Sequence, residues 1–350
     1  MKSRTRYCAL ALVSALVAGA ALAQLGGGGP INAGPLVGPS YNFISYACIG
    51  SDSVSHICTG DITTAAVTQI TSGPCPDTTP EWSFDGSKIA FQRQCGNDSD
   101  IYIVNPDGSG VTKVTATTLA FTPTWTPSGQ IVYSSIVYQG SLPNPVFCTN
   151  GYGAPCSDLR IINTDGTGDT ELLASKWTNS NEVSLFNISA HVTPDGATVM
   201  FGCGPYGGGS WGGTGLQLCS IPLATGNVTQ TPTLLSMATG AASSDPNIGL
   251  LKIGGQYQVV ISSIRPTIST GNLNVFSLNA DGTGVTQLTS FVEPLEGQDA
   301  GWSPDMLMIS FEQNTKGGAA SVWVMNTDGS NMHSTGIACN PNGCKPRFRP

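Results

Sequence analysis

Two short signatures recur along this chain, and together they restrict the fold more than any other feature. The first is a turn: Asn105-Pro106-Asp107-Gly108-Ser109-Gly110, Asn163-Thr164-Asp165-Gly166-Thr167-Gly168, Asn279-Ala280-Asp281-Gly282-Thr283-Gly284 and Asn326-Thr327-Asp328-Gly329-Ser330-Asn331. Asp-Gly supplies the positive φ angles of a tight β-turn, and the Asn bonds its own backbone. Short apolar or alternating runs precede each turn, Ile101 to Val104, Leu159 to Ile162, Leu273 to Leu278 and Val322 to Met325. Others follow, as in Val111 to Thr115 and Val285 to Thr289. These runs predict strands on both sides of the turn.

The second signature is a Pro, a variable residue, then an aromatic or aliphatic one. It stands at Pro80-Glu81-Trp82-Ser83-Phe84-Asp85-Gly86 and Pro123-Thr124-Trp125-Thr126-Pro127-Ser128-Gly129. Degraded forms are His191-Val192-Thr193-Pro194-Asp195-Gly196 and Gly301-Trp302-Ser303-Pro304-Asp305. A strand follows each, Lys88 to Phe91, Gln130 to Tyr133, Thr198 to Phe201 and Leu307 to Phe311. One unit is then strand, turn, strand, loop, strand, Asp-Gly turn, strand: a four-stranded antiparallel meander, repeated, in an all-β chain. Composition agrees: only 10% of residues are charged, and 44 Gly with 23 Pro exclude a coiled coil and a charged disordered chain.

The run Thr79 to Phe91 and its copies resemble the WD40-like PD40 repeat of TolB-like propellers, over residues 41 to 350. The resemblance implies a β-propeller and a protein of the cell envelope. An α/β domain precedes the propeller in that family; no room exists for it here, so functions that rest on it are not carried over. Pro246-Asn247-Ile248 is the one trace of the motif in the fifth unit.

Counting first-strand anchors gives Trp82, Trp125, Val192, Ile248, Trp302 and Phe348, the last in a repeat that begins and then stops. Tyr41 to Cys48, Ser55 to Cys58 and Ala66 to Thr71 read as a unit with no first strand. Phe348 is therefore expected to complete that blade and close a six-bladed ring, which protects the edges an open stack would expose.

Met1 to Ala23 has a basic start, an apolar run from Cys8 to Ala20 and Ala21-Leu22-Ala23 before Gln24, the pattern of a signal peptide cleaved after Ala23. The apolar run is short for a bilayer span, so the expected product is periplasmic or secreted and not membrane-spanning. Residues 24–40, with Gly26 to Gly29 in a row, read as a flexible arm. Beyond Cys8 ten cysteines remain, with no C-x-x-C pair and three histidines in the chain, so disulfides are expected rather than zinc. Aligning blades sets Cys48 and Cys203 two residues after the aromatic that ends a second strand, and Cys58 and Cys219 at the end of a third. The expected pairs are Cys48–Cys58 and Cys203–Cys219, with Cys75–Cys95, Cys148–Cys156 and Cys339–Cys344 as the nearest-neighbour remainder. Each short loop contributes about 2–3 kcal/mol by chain entropy.

The residues just before the six anchors are Glu81, Thr124, His191, Asn247, Gly301 and Arg347. First strands line a propeller's axis, so these six are expected to ring one mouth of the channel. The set is polar and varied, which suits a binding entrance better than a metal cage; plain solvation of the channel is the alternative. No cofactor and no metal are expected. His56, His191 and His333 fall at non-equivalent positions, which points to isolated surface or half-buried rings. Gly208-Gly209-Ser210-Trp211-Gly212 matches a hydrolase elbow, but no helix pattern follows it. The Asp-Gly turns lack the spaced acids of a calcium loop. With 14 Lys and Arg against 22 acids, no basic face is available for nucleic acid. The leading expectation is an exported, non-enzymatic propeller that binds a protein partner. The alternatives are an enzyme acting on a glycan or lactone, and a structural subunit that self-associates through residues 24–40.

Overall fold

A computed structural model describes residues 41–116, 119–136, 138–139, 146–147, 157–175, 187–203, 217–224, 233–235, 242–264, 272–315, 318–341 and 343–350. The expected signal peptide, the 24–40 arm, the Cys148–Cys156 pair and the Ser210 motif lie outside them.

The described residues contain no helix and form six four-stranded antiparallel sheets. Blade two shows the pattern: Asp77–Trp82, Ile89–Cys95, Asp98–Val104 and Thr112–Lys113 pair in chain order from the axis outward. Blade three adds a separate two-stranded hairpin, Tyr138–Gln139 with Val146–Phe147. Blade one alone breaks chain order. Its innermost strand is Arg347–Phe348, paired with Phe43–Ile49 through Ile44↔Phe348 and Ser45↔Arg347. The ring closes as the anchor count requires.

The second strand of each blade carries a fully buried residue at its centre. Tyr46, Phe91, Tyr133, Phe201, Ile261 and Phe311 sit at its centre with no exposed surface. Six hydrophobic clusters follow, each filled from two neighbouring blades. One joins Val132 and Leu159 of blade three to Val199 and Phe201 of blade four. Another joins Tyr46 and Phe348 of blade one to Val322 and Ile337 of blade six. The core therefore lies between blades, and no blade buries its faces alone.

In an antiparallel meander the first-to-second and third-to-fourth turns share one end of the sheet, so both signatures lie on the same disc face. Each Asp-Gly turn has one geometry: Asp107, Asp165, Asp281 and Asp328 accept the backbone N–H two residues on at 2.9 Å and the Ser or Thr hydroxyl there at 2.6 Å. Gly329 holds φ 81°, and a Cβ there would lie 2.6 Å from the Leu288 carbonyl oxygen of blade five. Gly329→Ala is expected to lose about 1–3 kcal/mol, read as a lower denaturation midpoint, because both the φ and the clash are unfavourable.

Disulfides join Cys48–Cys58, Cys75–Cys95, Cys203–Cys219 and Cys339–Cys344, as expected. One detail differs. Cys58 and Cys219 are mid-strand, because their strands run on to Asp61 and Pro222. Tyr46 and Phe201 likewise do not end their strands, which continue to Ile49 and Cys203.

Candidate functional site

Glu81, Thr124, His191, Asn247, Gly301 and Arg347 occupy one equivalent position in the six innermost strands. The next residue in each, from Trp82 round to Phe348, is buried in the blade interfaces. Alternation along a strand then turns the preceding side chain the other way, toward the axis. Glu81, Thr124, His191, Asn247 and Arg347 line a cavity of about 550 Å³, counting the open space at its mouth, with Phe84, Leu250, Pro304 and Pro350 also in its wall. Gly301 contributes no side chain. A Cβ there would lie 3.1 Å from the Pro346 carbonyl oxygen and 3.2 Å from Arg347 Nη1, so glycine leaves room for the guanidinium.

Arg347 arrives on the closing strand and ties three blades together. Its Nε donates to Glu81 Oε2 of blade two at 3.1 Å. Its Nη1 donates to the Asp299 and Ala300 carbonyls of blade six at 2.8 and 3.2 Å. Its own carbonyl accepts Trp82 Nε1–H at 3.2 Å, and the Glu81 carbonyl accepts Trp125 Nε1–H at 3.0 Å, so indoles stitch successive blades. Trp302 departs from this pattern: its indole N–H is buried without a partner, as is Arg347 Nη2.

Asn247 Oδ1 accepts the Trp302 backbone N–H at 2.9 Å, which turns Asn247 Nδ2 toward His191 Nε2 at 3.2 Å. When the ring is neutral, this contact makes His191 Nε2 the acceptor and places the proton on Nδ1. The same nitrogen is 3.4 Å from Glu81 Oε2, an ion pair that forms when the imidazole is protonated. Burial alone would raise the Glu81 carboxyl, but the protonated His191 ring, with Arg347 and Lys345, outweighs it and holds it at about 2. Glu81 is a buried, permanently ionised carboxylate at neutral pH.

A second tier was not visible from the anchors. Two residues before each ring member stand Thr79, Thr122, Ser189, Asp245, Asp299 and Lys345, all left-handed, with φ between 48° and 56°. A non-glycine residue there is uncommon, and for Thr it is an outlier. Five of the strands show a register break at this point, between Thr78 and Glu81, Phe121 and Thr124, Ile188 and His191, Ser244 and Asn247, and Gln298 and Gly301. The break is a β-bulge, and it re-aims the strand's side chains at the axis. A sequence signal existed: this position is polar in all six copies.

Three of its members are ionisable, Asp245, Asp299 and Lys345. Lys345 Nζ lies 3.6 Å from Asp245 Oδ1. Glu312, on the next strand of blade six, accepts Cys344 N–H at 2.9 Å and the amides of Gln298 and Asn314 at 3.1 Å. Burial pushes the Asp299 carboxyl well up, and the neighbouring Asp245 and Glu312 push it further. A raised acid gives stability that is complete below the ordinary carboxylate range and is lost as pH rises through the folded value. The Tm is therefore expected to fall as pH rises above the ordinary carboxylate range, with a flatter profile for Asp299→Asn, which keeps a donor toward Asp245. Equal slopes would contradict this.

The other histidines stay apart from the mouth. His56 is fully buried, against the expectation of a surface or half-buried ring, with Nε2 on Asp52 Oδ2 at 3.0 Å. The bend at Gly50 closes over it. His333 is exposed and donates from Nδ1 to the Asn331 carbonyl at 2.7 Å. His191 is not isolated, because ring closure brings Glu81 and Asn247 to it. Among the described residues no group of three or more His, Cys, Asp or Glu is arranged to hold a metal ion.

Six four-stranded blades, closed by a C-terminal innermost strand around a polar mouth, match solved propellers. TolB from Acinetobacter baumannii superposes with a TM-score of 0.63 at 15% identity, over 88% of this chain and 67% of that one. The fold is that of TolB-like propellers. A putative TolB from Agrobacterium tumefaciens gives 0.57 at 14% identity, over 88% and 98%. A chain of a nidogen/laminin complex gives 0.55 at 10% identity, over 88% and 98%. At these identities the likeness to TolB concerns architecture alone. No sequence-family model and no curated protein matches the chain.

Proposed function

We propose that this chain is an exported, non-catalytic propeller that holds another protein at its channel mouth, in the periplasm or outside the cell. The observation that carries the reading is the mouth itself, where residues from all six blades meet. Its polar side chains are bonded to one another across blades, Arg347 to Glu81 and Asn247 to His191, beneath a wall that includes Phe84, Leu250 and Pro304. A rigid floor with an apolar wall is a recognition surface, since few side chains need ordering on contact. The four disulfides fit an oxidising compartment. The TolB-like fold and its likeness to a chain of a nidogen/laminin complex add an analogy of architecture.

The test is capture from envelope extract and culture medium on immobilised protein. Wild type is expected to retain a protein that the Phe84→Ala/Leu250→Ala variant releases. Equal retention, or nothing specific on either, would overturn the reading.

A further inference from the structure

The mouth opens on a disc face rimmed by acidic turns. The turns at this end carry Asp85, Asp107, Asp165, Asp195, Asp281 and Asp328, all exposed, with Asp61 and Asp305 half-buried beside them. The described cations at this end are Lys88, bonded to Asn105, Lys252, 3.2 Å from Asp195, and Arg349, which lies over the Trp82 ring. These turn carboxylates outnumber the cations beside them. In the Asp-Gly turns one carboxylate oxygen, Oδ1, takes the turn's own donors, and Oδ2 of Asp281 also accepts Gln256 Nε2–H at 3.3 Å. Those bonds hold Asp107, Asp165, Asp281 and Asp328 below the ordinary carboxylate range, and Asp85 at about 2. The charge persists through mildly acidic conditions, and its placement around a rim sums the field over the mouth.

Apolar surface collects on the same face. Of the ten large hydrophobic side chains exposed among the described residues, only Ile49, Val292 and Leu295 lie at the far end. Blade five builds a longer hairpin than its neighbours, Ala242–Ile253 with Gln256–Ile264, and carries Leu251 (54% exposed) and Ile253 exposed near its tip; Leu307, in the corresponding turn of blade six, is exposed as well. At the centre, two donors more than nine-tenths buried, Trp302 Nε1 and Arg347 Nη2, belong to residues lining the cavity and have no partner.

Resting on the reading of the mouth as a protein-binding site, we propose that this face docks a cationic segment of the partner. Its Lys and Arg side chains lie over the aspartate rim, and an apolar residue beside them seats on the exposed Leu251 and Ile253 of the blade-five hairpin. Charge complementarity selects this occupant. The rim repels an anionic segment and nucleic acid, and a neutral apolar segment would leave the rim unmatched.

The probe is a lysine-rich peptide with a central leucine pair, followed by fluorescence anisotropy, beside a counterpart with glutamate at every lysine. Two variants remove equal charge. One carries Asp107→Ser, Asp165→Ser and Asp281→Ser, which keep a turn acceptor and avoid an Asn-Gly step; the other carries Asp98→Ser, Glu293→Gln and Glu296→Gln on the far face. The rim variant is expected to bind at least tenfold more weakly, the far-face variant within twofold of wild type, and added salt to weaken wild type. Equal loss in both variants would reduce the effect to bulk charge and overturn the proposal, as would equal binding of the glutamate peptide. Circular dichroism confirms that both variants fold. If the protein captured by wild type is lost from Phe84→Ala/Leu250→Ala but kept by the rim variant, the mouth reading stands and the cationic partner falls.

Discussion

Deleting Lys345 to Pro350 is expected to lower the melting temperature by roughly 10 °C or more. Six residues carry this effect because they hold the ring shut. Phe348 is 5% exposed in the cluster shared by blades one and six, and the loss of such an aromatic costs about 3–5 kcal/mol. Removal of Arg347 also strands the buried Glu81 carboxylate, and opens the Ile44 and Ser45 edge of blade one to strand addition. Loss of Lys345 takes away the cation 3.6 Å from Asp245 in the lower tier. Thermal denaturation followed by circular dichroism measures the loss, and sizing chromatography should show association through the bared edge. An unchanged midpoint would mean that the ring does not depend on this strand.

Glu81→Ala should come next in size, destabilising by about 3–5 kcal/mol, since it leaves the Arg347 guanidinium buried without its carboxylate. Glu81→Gln keeps an acceptor for Arg347 Nε and should lose less. The pH dependence has a definite sign. Glu81 is held at about 2 in the folded state, so its contribution is complete above the ordinary carboxylate range and is lost as pH falls through that range toward 2. In acid titrations of stability the wild type should therefore fall more steeply than Glu81→Ala below pH 4, and the two curves should converge.

The blades were legible because their signals are local and repeated. Pro80-Glu81-Trp82 and Asn105 to Gly110 each declare a turn and a strand end within a few residues, and six copies allow a count. The mouth positions followed from that register, since the residue before a buried anchor must face the axis. What the chain did not declare was partnership. Glu81 and Arg347 are 266 positions apart, and their contact exists only once the ring is closed. The lower tier escaped for a different reason: a strand read as a plain period-2 alternation does not announce a bulge, and Thr79 or Asp299 looks like any polar residue in it. The long hairpin of blade five escaped because Leu250 to Gln256 replaces the Pro-Asp-Gly turn with apolar residues and Gly254-Gly255, so the strands simply continue.

One strand, contributed from the chain's far end, both closes the ring and builds the mouth. A double-mutant cycle between Glu81 and Arg347 tests this most directly, with Glu81→Ala, Arg347→Met and the double variant compared by urea denaturation. Closure predicts a coupling energy above about 1.5 kcal/mol, with the double variant more stable than Glu81→Ala alone. Additivity to within about 0.5 kcal/mol would show that the two residues do not meet, and would contradict both the closed ring and the site built on it.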